Sequence, residues 1–267
     1  MIQPAPAASL ERVFRPRVIP ALLLKDRLLY KPVRFANPKY VGDPQVTVKL
    51  FNDKGADELF LLDISAAGRG APDFDLITEI ASECFMPVAY GGAVRSLEHA
   101  GRLFALGVEK VVLGTAAVES PQIITAIADE FGAQAVVACI DVRRHFVKGY
   151  RAYSHGGRRE SHFDPVELAV RLQAHGAGEI LLQSIDREGT GRGYDTKLIE
   201  AVSRAVDVPV VALGGAGRVE HLREAVDAGA SAAAAGSMFV LSGPHRAVLV
   251  TYPEAASLDV LFDGARQ

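Results

Sequence analysis

The sequence predicts an α/β fold: a (β/α)8 TIM barrel built from two duplicated half-barrels. Three observations carry this. The stretch 208–240, VPVVALGGAGRVEHLREAVDAGASAAAAGSMFV, is echoed by 86–118, MPVAYGGAVRSLEHAGRLFALGVEKVVLGTAAV. Pro87 aligns with Pro209, Gly91-Gly92 with Gly214-Gly215, Arg95 with Arg218, Glu98-His99 with Glu220-His221, Gly107 with Gly229 and Gly114 with Gly236, at an offset of 122 or 123 residues. Eight short apolar runs also alternate with eight helix-patterned segments, the signature of a parallel sheet covered by helices. The length, 267 residues, suits one closed barrel. An open doubly wound sheet would not need its last strand to echo its fourth.

The elements follow in order. Strand one is Arg17 to Leu24, and the basic segment after it, KDRLLYKPVRFANPKYVGDP, is too long for a plain connection and reads as a functional loop. A helix spans Pro44 to Asn52, closed by the Gly55 turn signal. Strand two is Glu58 to Asp63, with a helix from about Asp73; strand three is Val88 to Tyr90, with a helix from Ser96 to Ala105. Strand four is Lys110 to Leu113, and Ser120-Pro121 places a cap and a first-turn proline at its helix. Strand five is Ala135 to Asp141. The insertion 143–162, RRHFVKGYRAYSHGGRRESH, alternates aromatic and basic residues like a hairpin, and a helix follows from Asp164 to Ala174. Strand six is Glu179 to Ser184, with a helix from Asp195 to Ala205; strand seven is Val208 to Leu213, with a helix from Val219 to Ala228. Strand eight is Ala232 to Ala235, and the last helix is expected within 243–250. The whole of 1–267 reads as one domain, with 1–15 as a lead-in and 253–267 as a peripheral tail.

Composition narrows the function. A hydrophobic content of 49% with 23% charged residues is that of a globular chain with a sizeable core. The net charge of −3 argues against a general nucleic-acid or membrane-surface role. Cys84 and Cys139 form no ligand-spaced pair, and the seven histidines are scattered, so neither a disulfide framework nor a metal site is expected. The N-terminal stretch lacks a basic region followed by a sustained apolar run, and no stretch reaches the roughly 20 apolar residues of a membrane helix. The expectation is a cytoplasmic protein without membrane insertion.

Barrel chemistry sits at the C-terminal ends of the strands. Glycine-rich turns stand there after strands three, four, seven and eight: Gly91-Gly92, Gly114-Thr115, Gly214-Gly215 and Gly236-Ser237. Such turns serve tight connections, but they also let backbone N–H groups approach an anion. Their placement on opposite sides of the mouth suggests two anion sites and a ligand phosphorylated at both ends. Asp63, Asp141 and Asp186 each follow an apolar run. A lone Asp can bond a neighbouring loop or act as a general acid or base. Asp141 is the stronger functional candidate, and the half-barrel alignment puts Leu23 where its strand-one counterpart would stand. At the opposite ends of alternate strands, Arg17, Glu58, Lys110 and Glu179 alternate in sign. They are either solvated strand-start charges or a ring closing the barrel bottom.

The stretches GADELFLLDI, GVEKVVLGTAAVESP, HGGRRE, GAGEILLQSIDREGTGRGYD and ALGGAGRVEHLREA, with matching over most of 17–240, resemble the cyclase subunit of imidazole glycerol phosphate synthase, the HisF-type barrel. That resemblance implies a HisH-type glutaminase docked on the barrel bottom. It further implies an ammonia gate at Arg17, Glu58, Lys110 and Glu179, passage through the barrel, and reaction with a bis-phosphorylated ribulose intermediate at the top. Asp141 matches the strand-five carboxylate and Lys31 a loop lysine of that family, so both are carried over as catalytic; Leu23 replaces the strand-one carboxylate. Phosphate binding falls to Gly92, Thr115, Gly189 and Gly215 with Ser237, joined by Gly214 and Gly236 from the turns; Ala93, Gly114, Leu213, Glu188 and Gly236 depart from the family's usual residues. No cofactor and no metal are implied. The segment ALLLKD…NPKYVGDP resembles a divergent branch that accompanies a sugar amidotransferase and a glutaminase in surface-polysaccharide synthesis. The first expectation is therefore an ammonia-conducting barrel serving sugar amidation. The alternatives are a true cyclase of histidine biosynthesis and, third, a phosphosugar isomerase on the same fold.

Overall fold

Strict alternation along the strands decides which side chains fill the barrel and which meet the helices. A computed structural model describes residues 15–264. Its eight barrel strands are β1 (Arg17–Lys25), β2 (Leu59–Asp63), β3 (Val88–Gly91), β4 (Lys110–Leu113), β5 (Val136–His145), β6 (Glu179–Ser184), β7 (Val210–Leu213) and β8 (Ala232–Ala235). They pair in parallel in the order β6-β7-β8-β1-β2-β3-β4-β5, and β5 pairs with β6 to close the barrel. The expected barrel is thus the observed one.

Ile19, Ala21, Phe60, Ala89, Val112, Val137, Leu181, Val211, Ala232 and Ala234 form the inner core, while Val18, Leu22, Leu24, Val111 and Ile180 pack outward against the helices. Seven of these ten inner residues are alanine or valine, four of them alanines on β1, β3 and β8, so the axis is lined by short apolar side chains. Five of the longer helices start where a side chain accepts a free N–H. Asp43 accepts from Val46, Asp73 from Leu76, Ser96 from His99, Asp164 from Val166 and Glu167, and Asp195 from Leu198.

Four local expectations change. The long segment after β1 is an antiparallel hairpin, Leu28–Val33 with Ala36–Gly42, turning at Arg34-Phe35 with φ of 52° and 62°. Two consecutive left-handed residues are what a two-residue hairpin loop needs, although neither is glycine. Ser120 makes no side-chain cap; a short helix, Thr115–Glu119, precedes it and the longer helix begins at Gln122. The stretch 243–250 is not a helix. After Ser237–Val240 the chain makes a ribbon, Leu241–Ser242 with Ala247–Val248, because Gly243-Pro244 is a turn signal. The closing helix is Ala255–Phe262, inside the segment read as a peripheral tail, and it buries Leu258 and Phe262 against the core. The insertion 143–162 does form a hairpin, with Gly149–Ser154 antiparallel to β5. Of the lead-in, 1–14 lie outside the described residues, and Arg15 pairs with Asp57 at 2.6 Å and Asp259 at 3.2 Å.

Candidate functional site

At the barrel bottom Arg17 opens β1, Lys110 opens β4, Glu179 opens β6 and Glu58 stands one residue before β2. The four side chains converge into one ring. Arg17 forms ion pairs with both Glu58 and Glu179, and Lys110 Nζ lies 2.9 Å from Glu58 and 3.0 Å from Glu179. The carboxylates are nearly sealed, at 3% and 5% side-chain exposure, while Arg17 at 33% and Lys110 at 19% face outward. Burial opposes the charge on Arg17, yet Glu179 and Glu58 outweigh it and hold the guanidinium above its ordinary range. The ring is therefore a charged plug directly beneath the apolar interior.

At the top, Asp141 points inward from β5, in register with Gln183 on β6. Burial raises its carboxyl to about 7, opposed by a contact from Cys139 Sγ at 3.7 Å and assisted by the nearby charge of Glu188. A carboxyl poised there can give or take a proton at neutral pH. Leu23, buried in β1, presents only a hydrocarbon surface to the mouth. The hairpin 28–42 swings Lys31 over the mouth, where it is 3% exposed and Nζ donates to the Ala21 carbonyl at 2.5 Å. Burial pulls the Lys31 ammonium below its ordinary value, and Glu188 pulls the other way. Glu188 is itself raised by burial, with Lys31, Gln183 and Arg246 opposing. Asp141, Glu188 and Lys31 thus form one electrostatically linked set.

The glycine positions serve different neighbours. A methyl on Gly214 would lie 2.7 Å from the Ser184 carbonyl, on Gly189 2.5 Å from the Pro32 carbonyl, and on Gly215 or Gly236 would overlap Gly193 or Lys31. Their lack of side chains lets the loops after β6, β7 and β8 and the hairpin close together. Gly92 instead packs on Asp63, 2.8 Å from a would-be methyl. The Thr115 hydroxyl accepts from His155 N at 2.9 Å, so the insertion covers it, while the Ser237 hydroxyl lies 3.5 Å from Arg246.

The other two acidic strand ends are occupied locally. Asp63 accepts from Ser65 and Ala66 and pairs with Arg69; Asp186 accepts from Arg144 N at 2.7 Å. The duplicated histidines brace the turns: His99 Nδ1 lies 3.3 Å from the Ala93 carbonyl and His221 Nδ1 accepts from Gly217 N at 3.1 Å. Arg246 was not singled out by the sequence, since it sits in the stretch expected to be helical. Among the described residues no cluster of His, Cys, Asp and Glu could hold a metal ion, and no helix is long and apolar enough to cross a membrane.

Residues 17–243 match the family model described as "Histidine biosynthesis protein". The chain belongs to this family. Within it the likeness is to HisF-type subunits. It is 50% identical over 248 residues, 92% of this chain and 99% of the relative, to a Pseudomonas aeruginosa protein called "Putative imidazole glycerol phosphate synthase subunit hisF2". It is 41% identical over 253 residues, 94% of this chain and all of the relative, to a Leptospira interrogans protein of like name, "Putative imidazole glycerol phosphate synthase subunit HisF". To the Caulobacter vibrioides "Imidazole glycerol phosphate synthase subunit HisF" it is 45% identical over 231 residues, 85% of this chain and 88% of the relative. This member of the HisF-type cyclase family therefore spans its relatives almost end to end, and the match covers both the charged ring and the mouth.

Proposed function

We propose that this HisF-type barrel pairs with a HisH-type glutaminase at its bottom face and conducts ammonia to an amidation reaction, with a surface-polysaccharide sugar as the acceptor. One observation carries the reading: the charged ring at the bottom is complete while the mouth has Leu23 where a second carboxylate would stand. A ring of paired charges beneath an apolar axis excludes hydrated ions, which pay heavily for desolvation, and lets a small neutral amine through once it opens. At the top, Gly92 and Thr115 on one side and Gly189, Gly214, Gly215, Gly236 and Ser237 on the other serve a phosphorylated ligand. Leu23 cannot relay a proton, and losing one general acid or base costs roughly 10²–10⁴ in rate. A sugar amidotransferase fits as the enzyme that takes up the ammonia.

The test is reconstitution of the full chain with a HisH-type glutaminase. Glutamine hydrolysis should rise on complex formation, with no turnover of the bis-phosphorylated ribulose intermediate. Robust formation of imidazole glycerol phosphate would overturn the amidation reading. It would support the second one, a true cyclase, which the position of Asp141 near neutrality favours. In that case Asp141→Asn abolishes turnover, and the enzyme works without Leu23→Asp.

A further inference from the structure

Eight of the 19 arginines among the described residues are held in ion pairs. Arg15, Arg17, Arg27, Arg69, Arg159, Arg204, Arg218 and Arg223 each pair with a carboxylate. Two unpaired cations stand together at one side of the mouth, Lys31 against Gly236 and Arg246 at Ser237. Neither Lys31 nor Arg246 has a carboxylate within 4.0 Å among the described residues, and Lys31 is buried besides.

Arg246 is held there by construction. It stands at the turn of the Leu241–Val248 ribbon with φ of 51°, a left-handed conformation unfavourable for a non-glycine residue. The ribbon is tied down by Leu249 N to the Val240 carbonyl at 3.1 Å and Thr251 N to the Phe239 carbonyl at 2.9 Å. From that turn Nη1 donates to the Gly189 carbonyl at 2.8 Å, and Nη2 reaches to 3.5 Å from Ser237 Oγ. The guanidinium therefore spans the loop after β6 and the chain leaving β8. With five N–H groups and one good bond made, it keeps donors for a planar anion edge. Across from it Lys31 lies against Gly236, where a methyl would displace it. Glu188 feels the charge of both cations, and burial pushes its carboxyl up against them. The patch thus sets two cations against one carboxyl and is lined by glycine backbone.

We propose that Arg246 is an anion-binding residue that closes this side of the mouth over a phosphate monoester group, opposite Lys31 and beside Gly189, Gly215 and Ser237. The inference rests on reading those loops as a phosphate site, and it adds a side-chain clamp from the ribbon to what backbone groups alone would supply. It also gives the ribbon a function: ligand binding and ordering of residues 241–248 are coupled.

Inorganic phosphate is the probe, titrated into the full-length chain and followed by amide shifts of Gly189, Gly215 and Ser237. Arg246→Gly should weaken binding about tenfold or more while leaving the melting temperature unchanged or higher, because glycine relieves the left-handed turn. Arg246→Lys should recover part of the affinity. Ser237→Asp, which puts a negative charge into the cradle, should abolish binding. If Ser237→Asp abolishes binding and Arg246→Gly leaves it intact, the clamp is overturned and the phosphate site stands. If the parent protein binds no phosphate, both fall. A loss of melting temperature in Arg246→Gly with unchanged affinity assigns the residue a structural role only and also overturns the clamp.

Discussion

The two half-barrels share a chain path and differ in what lies over it. Gly114 and Gly236 are symmetry partners with φ, ψ of −101°, −92° and −103°, −78°. A methyl on Gly114 would meet nothing within 4 Å, whereas one on Gly236 would run into Lys31. Thr115 and Ser237 follow them; the first is covered by the backbone of His155, the second faces Arg246. The first-half turn is held by His99 on Ala93, which sits at φ of 50°, and the second by His221 on Gly217. The duplicated backbone is thus shared, and three elements outside the repeat set the two sides of the mouth apart. The 28–42 hairpin and the 241–248 ribbon bring cations to the second half, while the 143–162 insertion lays its own backbone across the first.

The largest effect is expected where the second half is tightest. Gly215 has φ of 113°, and its Cα faces the Gly193 backbone, which also donates N–H to the Gly215 carbonyl at 2.9 Å. Gly215→Ala must both strain φ and push backbone from backbone, so it should cost more than about 3 kcal/mol in denaturant unfolding. A cost below 1 kcal/mol would show that the loops after β6 and β7 are not locked together, and the asymmetry of the halves would lose its structural basis.

The next contrast is between Asp141 and Leu23, on symmetry-related strands. The Asp141 carboxyl stands at about 7 against an ordinary 3.8. Between those values the folded chain keeps a proton that the unfolded chain releases, so this residue lowers stability as pH rises from about 4 to about 7. Asp141→Asn should therefore be more stable than the parent at pH 8 by about 2 kcal/mol, roughly half the full conversion because Asp141 keeps some solvent contact. The gain should fade toward pH 4. Urea melts across that range check it; a pH-independent difference would mean that Asp141 titrates as an ordinary carboxylate. A more stable variant with lost function would mark strain stored at the mouth.

The barrel was legible in the sequence because periodicity and duplication report backbone and burial, which repeat along the chain. The charges of Arg17, Glu58, Lys110 and Glu179 were visible as strand starts at one height, but the pattern alone fits solvated charges as well as a ring; the ring came from the family resemblance, and the ion pairs join them. Asp63 and Asp186 were ambiguous because a strand-end carboxylate looks alike whether it faces the mouth or a loop, and only the register turns Asp63 outward onto Ser65, Ala66 and Arg69. Arg246 was hidden by a wrong element. Hydrophobic spacing in 243–250 imitates a helix, and Gly243-Pro244 was the signal against it. The closing helix Ala255–Phe262 has weak apolar periodicity, since it buries only Leu258 and Phe262 deeply.

The smallest change offers the cleanest comparison of the halves. Gly114→Ala and Gly236→Ala add one methyl each to near-identical backbone, and both should shift stability by less than about 1 kcal/mol. The first enters open space; the second meets the far end of a flexible lysine, which can move aside, and sits 3.2 Å from the Ala21 carbonyl, which must give by a few tenths of an ångström. Their effects on Lys31 should diverge. Burial at the Ala21 carbonyl keeps its ammonium below the ordinary 10.5. Pushing Nζ out toward water removes that penalty, so in Gly236→Ala the Lys31 titration should rise toward 10.5, while Gly114→Ala leaves it where it was. NMR titration of side-chain-labelled lysine reads this directly. Equal titrations in the two variants would mean that Lys31 does not rest on Gly236 in solution, and the cation that distinguishes the second half would belong to the hairpin rather than to the site.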